Sequence, residues 1–311
     1  MVGRYNTSPR NNAMKVAQFE DTQGFCIGLF DKGRWVNYSD AEATYTSITH
    51  KVVVEPTTTM QQLLEDGRFD PTEFRIVLEF LKKHKLEKQY LISKDAVLKA
   101  PVLRPPKIVA LGLNYALHAK EGNATVPKEP IIFMKAGSSV IGPGETILLP
   151  KGLGRMDHEV ELAVIIGQRA TAVKKKDALG YVAGYTVLND VTARELQSLD
   201  LEKKHPWFRS KSFDTFTPLG PWIVTADEVG APIELGLECR VNGKVRQKSN
   251  TKNMVFDVPT QIEFISKFIT LEPGDIISTG TPHGIGPVEH GDEVVCRIQH
   301  IGELKNPVRD R

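Results

Sequence analysis

Glu159 and Glu161 stand in the run His158-Glu159-Val160-Glu161-Leu162-Ala163-Val164-Ile165-Ile166. Side chains alternate across a β-strand, so this spacing puts both carboxylates on one face and Val160 on the other. The apolar residues that follow carry the strand into a core, where an unpaired carboxylate is costly or takes up a proton. A positive partner is required, and it is either a Lys or Arg side chain or a hard metal ion. Asp190 ends a second strand-like run, Tyr181 to Leu188 followed by Asn189. It reads as the N-cap of the helical stretch Val191 to Leu201, or as a third oxygen ligand beside the glutamates. Three carboxylates with positions left for water suit Mg2+, Mn2+ or Ca2+ rather than Zn2+, and no Cys/His cluster competes.

Other residues have types and spacings that invite chemistry. His118 and Glu121, in Asn114-Tyr115-Ala116-Leu117-His118-Ala119-Lys120-Glu121, are three apart and share one face if the segment is helical. They read as a solvated helix face, or as an imidazole oriented by a carboxylate. Gly122 and Asn123 would then let the segment move as a lid. Lys211 is an ordinary surface lysine on spacing alone. Arg194 and Gln197 share a face and can reach one ligand. The run Ser278-Thr279-Gly280-Thr281-Pro282-His283-Gly284-Ile285-Gly286 lacks the Gly-Lys-Ser/Thr ending of a phosphate loop, which discounts nucleotide binding. Its turn still offers backbone N–H groups and the Thr281 hydroxyl to a small anion.

The elements that must position these residues are mostly strands. Strand signals fall at Ile108 to Leu113, Ile131 to Met134, Glu159 to Ile166, Tyr181 to Leu188, Ile276 to Thr279 and Glu293 to Ile298. Asn242-Gly243 between Leu237 to Val241 and Lys244 to Arg246 is a strong hairpin signal. Helices are few beyond residue 104, the best running from Pro259 to Ile269. Before it, strand-like pieces at Phe25 to Phe30 and Arg34 to Val36 accompany one clear helix. Asp70-Pro71-Thr72-Glu73 supplies its cap, first-turn proline and capping acid, and Phe74, Val77, Leu78 and Leu81 fall on one face. Pro101, Pro105 and Pro106 mark a boundary near residue 104. The expected organisation is an extension over residues 1–13, a small N-terminal α/β domain over 14–104 and a larger domain over 105–311. The fold class is α+β and β-rich, a sandwich or barrel with a few covering helices.

Composition excludes several function classes. Forty Lys and Arg against thirty-eight Asp and Glu leave a net charge of +2, so no global field draws the chain to nucleic acid or to an anionic membrane. No stretch approaches the ~20 apolar residues that span a bilayer. Cys26, Cys239 and Cys296 are widely spaced and read as buried thiols of a reducing compartment. The expected location is the cytoplasm, with mitochondria left open by the basic, acid-free segment that holds Arg4 and Arg10.

Taken in order, these segments resemble the fumarylacetoacetate hydrolase family. The resemblance covers Lys107 to Val308 and rests on Gly112-Leu113-Asn114-Tyr115 leading to His118 and Glu121, on Phe133-Met134-Lys135, and on His158-Glu159-Val160-Glu161. It continues through Asn189-Asp190 with Arg194 and Gln197, Lys211-Ser212-Phe213-Asp214, and Thr279-Gly280-Thr281-Pro282. The resemblance implies a β-sandwich roll with a mixed, barrel-like core, a homodimer, and one divalent cation per subunit, Mg2+ or Mn2+ with Ca2+ as a further option, held by Glu159, Glu161 and Asp190. It implies His118, Glu121 and Lys211 as catalytic residues, and Tyr115, Lys135, Arg194, Gln197, Gly280 and Thr281 around a small 2-oxo acid substrate. The implied chemistry runs through a metal-stabilised enolate. Hydrolytic C–C cleavage of an acylpyruvate is the first expectation. Oxaloacetate decarboxylation, isomerisation or decarboxylation of a 2-hydroxymuconate-type diacid, and a non-catalytic carboxylate-binding role are the alternatives. Fumarylacetoacetase itself carries an extra metal-ligating acid before its catalytic histidine, whereas Ala110-Leu111-Gly112-Leu113 has none. The chain is therefore more similar to the smaller acylpyruvase and isomerase branch.

Overall fold

The structure is a computed structural model that describes residues 13–311. The extension expected over residues 1–13 lies outside the described residues except for Ala13, which is buried. Most strands join one large mixed sheet. Its hydrogen-bonded path runs Arg34–Asn37, Gly24–Asp31, Lys15–Asp21, Thr217–Thr225, Val182–Asn189, Val160–Ile166, Ile276–Ser278, Ile108–Gly112 and Ile131–Lys135. The short strand Val140–Ile141 follows the last of these and pairs in parallel with Thr217–Thr225. The sheet therefore curls into a roll whose path stays open.

A second sheet stacks on the first. It runs Lys244–Asn250, Gly236–Val241, Glu293–Ile298, Gly302–Asp310 and Ile147–Leu149. The expected hairpin is present, with Asn242 and Gly243 at φ 50° and 75°, the left-handed pair that a two-residue turn between twisted strands requires. Val160–Ile166 is buried at every position because both of its faces are covered. Val160, Leu162 and Val164 share a core with Leu237, Cys239, Val294, Cys296 and Leu304 of the second sheet. Ala163 and Ile165, on the other face, share a core with Ile108, Leu188, Ile276 and the N-terminal residues Phe74, Val77 and Leu81.

The helix Pro71–His84 starts as its sequence signals dictate, Asp70 accepting from the Thr72 N–H at 2.7 Å. The large sheet continues across residue 104, since Val16 pairs with Ile223 and Lys15 with Val224. All three cysteines are free and buried. No helix among the described residues is long and apolar enough to cross a membrane.

Candidate functional site

Glu159 sits at the joint between two strands, Met156–His158 and Val160–Ile166, rather than inside one. Met156–His158 leaves the large sheet to pair with Thr192–Ala193 on one side and Gly286–Pro287 on the other. The helix expected from Val191 therefore starts only at Arg194, with Ala193 as its N-cap. Asp190 caps nothing. Its backbone N–H bonds the Glu159 carbonyl at 2.8 Å, which brings its side chain to the glutamates. Glu159, Glu161 and Asp190 are all buried, and each offers a carboxylate oxygen within 4.8 Å of the others.

Cations surround this triad. Lys211 Nζ donates to Glu159 Oε2 at 2.7 Å and to Asp190 Oδ2 at 2.6 Å. Lys135 Nζ donates to Asp190 Oδ1 at 2.6 Å and to the Lys211 carbonyl. Arg194 donates to the other oxygen of Glu159, to Asp157 Oδ2 at 2.7 Å and to Gln197 Oε1 at 2.6 Å. Glu161 meets only neutral donors, the Ser278 hydroxyl at 2.5 Å and the Gly280 N–H at 2.8 Å.

The protonation preferences follow. Burial alone would raise Glu159, but the charges of Lys211 and Arg194 outweigh it and hold the carboxyl well below its usual range. Burial, then the charges of Asp190 and Glu159, push Glu161 up to about 8. Burial lowers Lys135 against the pull of Asp190, whereas Asp190 and Glu159 overcome burial and raise Lys211. The triad is thus short of one positive charge at Glu161. Three hard, buried oxygen donors in that state fit a divalent cation. When bound, such an ion would be held by Glu159, Glu161 and Asp190.

The His118–Glu121 pair forms on the short helix Ala116–Glu121, with Nδ1 of His118 3.2 Å from Glu121 Oε2. Glu121 also accepts from the Gly284 N–H at 3.0 Å, which ties the helix to the glycine-rich turn. Asn114 anchors its other end, donating to the carbonyls of Thr279 at 2.7 Å and Phe256 at 3.1 Å. The same turn holds the dyad through the Gly284 N–H to Glu121 and the triad through the Gly280 N–H to Glu161, which brings the two to one turn. The Tyr115 hydroxyl is buried without a hydrogen-bond partner among the described residues, and burial together with Glu161 raises its pKa. The turn departs from expectation in detail. The anion met by the Gly280 N–H is the Glu161 carboxylate, and the Thr281 hydroxyl bonds the Val160 carbonyl at 3.0 Å.

Several members of the site were not among the expected site residues. Ser278 and Asp157 hold Glu161 and Arg194. Trp207 packs edge-on against Phe133 with ring centroids 5.4 Å apart, and Lys211 Nζ lies 5.3 Å from the Phe133 centroid. Gly112 makes room for the indole, since a Cβ there would stand 2.4 Å from Trp207 Cζ3. The period-two pattern could have found Ser278, which shares a row with Ala163 and Ala110. Trp207 and Gln247 could not be found that way.

The sequence model of the fumarylacetoacetate hydrolase C-terminal region matches residues 107–309. The chain belongs to the fumarylacetoacetate hydrolase family. A mitochondrial oxaloacetate tautomerase of Bos taurus is 45% identical over 264 residues, covering 79% of this chain and 83% of the relative. Among solved structures, fumarylacetoacetate hydrolase from Exiguobacterium antarcticum superposes with a TM-score of 0.76 at 33% identity, over 96% of this chain and 100% of that one. A 5-carboxymethyl-2-hydroxymuconate delta-isomerase from Mycobacterium smegmatis gives 0.71 at 32% identity, over 96% and 99%. The family fold accounts for the open roll and its covering helices, and a catalytic role is in keeping with these hydrolase, isomerase and tautomerase relatives.

Proposed function

We propose that this family member is a divalent-metal-dependent enzyme that moves a proton at the carbon beside the ketone of a 2-oxo acid, interconverting keto and enol forms. Oxaloacetate or a related short diacid is the substrate. The observation that carries the reading is a buried oxygen triad and the His118–Glu121 pair held by one turn, through the N–H groups of Gly280 and Gly284. The similarity to an oxaloacetate tautomerase, which extends well beyond residues 107–309, supports the substrate class.

Glu159, Glu161 and Asp190 would hold Mg2+ or Mn2+, which would supply Lewis-acid polarisation of the 2-oxo acid. The remaining work belongs to side chains. Lys211, raised and fixed by two carboxylates, places positive charge where negative charge develops on the ketone oxygen. With Nδ1–H donated to Glu121, the Nε2 of His118 takes the proton from C3. The C3–H electron pair forms the C2–C3 double bond, the carbonyl pair moves to oxygen, that oxygen takes a proton from water to give the enol, and His118 returns its proton to water. Tyr115, with a buried hydroxyl and no partner among the described residues, donates to the substrate. Gly280 and Thr281 keep their positions beside Glu161, and Arg194, Gln197 and Lys135 keep the acids in place.

Hydrolytic cleavage of an acylpyruvate is a second reading, favoured by the same dyad. Water held at His118 Nε2 would attack the distal carbonyl and release a pyruvate enolate. A homodimer in the cytoplasm or mitochondria completes the proposal. The deciding experiment follows enol disappearance and pyruvate release separately, on oxaloacetate, acetylpyruvate and fumarylpyruvate with Mn2+. Enol loss from oxaloacetate without pyruvate, abolished by EDTA, is expected. Turnover of none of the three, or turnover indifferent to EDTA, would sink the proposal.

A further inference from the structure

Gln247 lies on the hairpin strand Lys244–Asn250 and its side chain is fully buried. Four groups converge on its amide. Oε1 is 3.0 Å from the backbone N–H of Val160 and 3.1 Å from Nδ1 of His158. Nε2 is 2.8 Å from Thr281 Oγ1 and 2.8 Å from the carbonyl of Pro282. Two of these partners have fixed roles, because a backbone N–H only donates and a carbonyl only accepts. They set the orientation of the amide, and that orientation determines the other two. Thr281 must accept from Nε2, so its own proton goes to the Val160 carbonyl at 3.0 Å. His158 must donate from Nδ1; its buried Nε2 faces Gly286, where a Cβ would stand 3.6 Å away, and finds no acceptor among the described residues, so the neutral ring with a bare Nε2 fits the pocket.

The groups fixed in this way belong to the two segments that build the site. His158 and Val160 flank Glu159, and the Gly280 N–H next to Thr281 holds Glu161 at 2.8 Å. The geometry points to Gln247, with His158 as its Nδ1–H tautomer, as the positioning residue that locks the Glu159–Glu161 segment to the Gly280–Thr281 turn and sets the spacing of the carboxylates. It touches neither ion nor substrate and acts through the strand. The inference rests on the reading of the triad as a cation site. Partners one layer behind the ligands typically change metal affinity about 10–100-fold.

Two measurements test the lock. Nitrogen-15 spectra of histidine-labelled wild-type protein are expected to show His158 protonated at Nδ1 and bare at Nε2. A bare Nδ1 overturns the assignment, whether or not the protein takes up metal. Calorimetric titration of Mn2+ into Gln247→Glu, which keeps both acceptor contacts and loses both donors, and into Gln247→Leu, which loses all four, is expected to show affinity down at least tenfold, more for Leu. Should the Leu variant fail to fold, the Glu variant carries the test. A role confined to stability would lower the melting temperature and leave Mn2+ affinity at the wild-type value, and that result overturns the positioning role. Wild-type protein that binds no Mn2+ defeats the cation reading, while the tautomer spectrum still decides the lock.

Discussion

Lys211 and a divalent ion want the same oxygens, and replacing the lysine with methionine makes that competition measurable. Its ammonium donates to Glu159 Oε2 and Asp190 Oδ2 at 2.7 and 2.6 Å, and all three side chains are at most 4% exposed. Lys211→Met keeps most of the volume and removes the charge. Breaking a buried pair on one side costs about 3–5 kcal/mol, because the remaining charge is left uncompensated. The ion-free variant should therefore unfold with stability lower by that amount, a melting shift on the order of 10 °C. Mn2+ at about 100 times its Kd stabilises the wild type by about 2.7 kcal/mol. In the variant the ion also supplies the missing positive charge, so its affinity should rise at least tenfold, which adds about 1.4 kcal/mol at the same concentration. Turnover should fall in the same protein, since the charge facing the ketone oxygen is gone. Urea unfolding with EDTA and with Mn2+ gives all four corners of the cycle. Equal Mn2+ stabilisation of both proteins would refute the reasoning, as would a variant as stable as wild type in EDTA.

Three further outcomes are expected. His118→Ala should lower turnover about 10²–10⁴-fold while leaving Mn2+ affinity within a factor of two, as measured by steady-state kinetics and calorimetry; full turnover on every accepted 2-oxo acid would remove the proton-transfer role. Tyr115→Phe deletes a buried hydroxyl that has no partner among the described residues, so thermal unfolding should show no loss of stability, or a gain of up to about 1 kcal/mol, with a raised KM. A marked loss of stability would show that the hydroxyl has a protein partner instead. Burial raises the thiols of Cys26, to about 11, and of Cys239. A thiol reagent at pH 8 should accordingly titrate neither before unfolding, Cys296 should be shielded by its burial, and all three should react after it.

Where local chemistry and tertiary structure agree, the sequence was readable. The helix Pro71–His84 buries Phe74, Val77, Leu78 and Leu81, the face its spacing predicts, and the Asn242-Gly243 hairpin forms at its expected place. The carboxylate triad was also legible, because two acids at period two leading into an apolar run have few bland explanations. Thr217–Thr225 was missed. It holds Pro218 and Pro221, which argue against a central strand, yet it lies between Lys15–Asp21 and Val182–Asn189; Pro221 falls where its pairing with the latter shifts register, and Pro218 stands opposite Ile141. Lys15–Asp21 escaped for a different reason, since Gln18 and Glu20 interrupt its apolar run and Gln18 is buried by bonds to the Thr58 carbonyl and the Met60 N–H. Gln247 was invisible because its value lies in four partners far away in sequence.

The two cores meet at the strand that carries Glu161, and this constrains how such chains can be recombined. Ala163 and Ile165, which follow Glu161 on the same face, share a core with Phe74, Val77 and Leu81, while Val16 completes the ladder of Thr217–Thr225. A chimera that joins residues 14–104 of one relative to the remainder of another must match shapes across that core and pair backbone across that ladder. A graft that fails to do so leaves Thr217–Thr225 with open hydrogen-bonding groups, a template for pairing with another chain. Residues 14–104 and the sheet that carries the carboxylate triad are therefore inherited as one fitted pair, and a library that shuffles them should yield folded members only where both complements travel together.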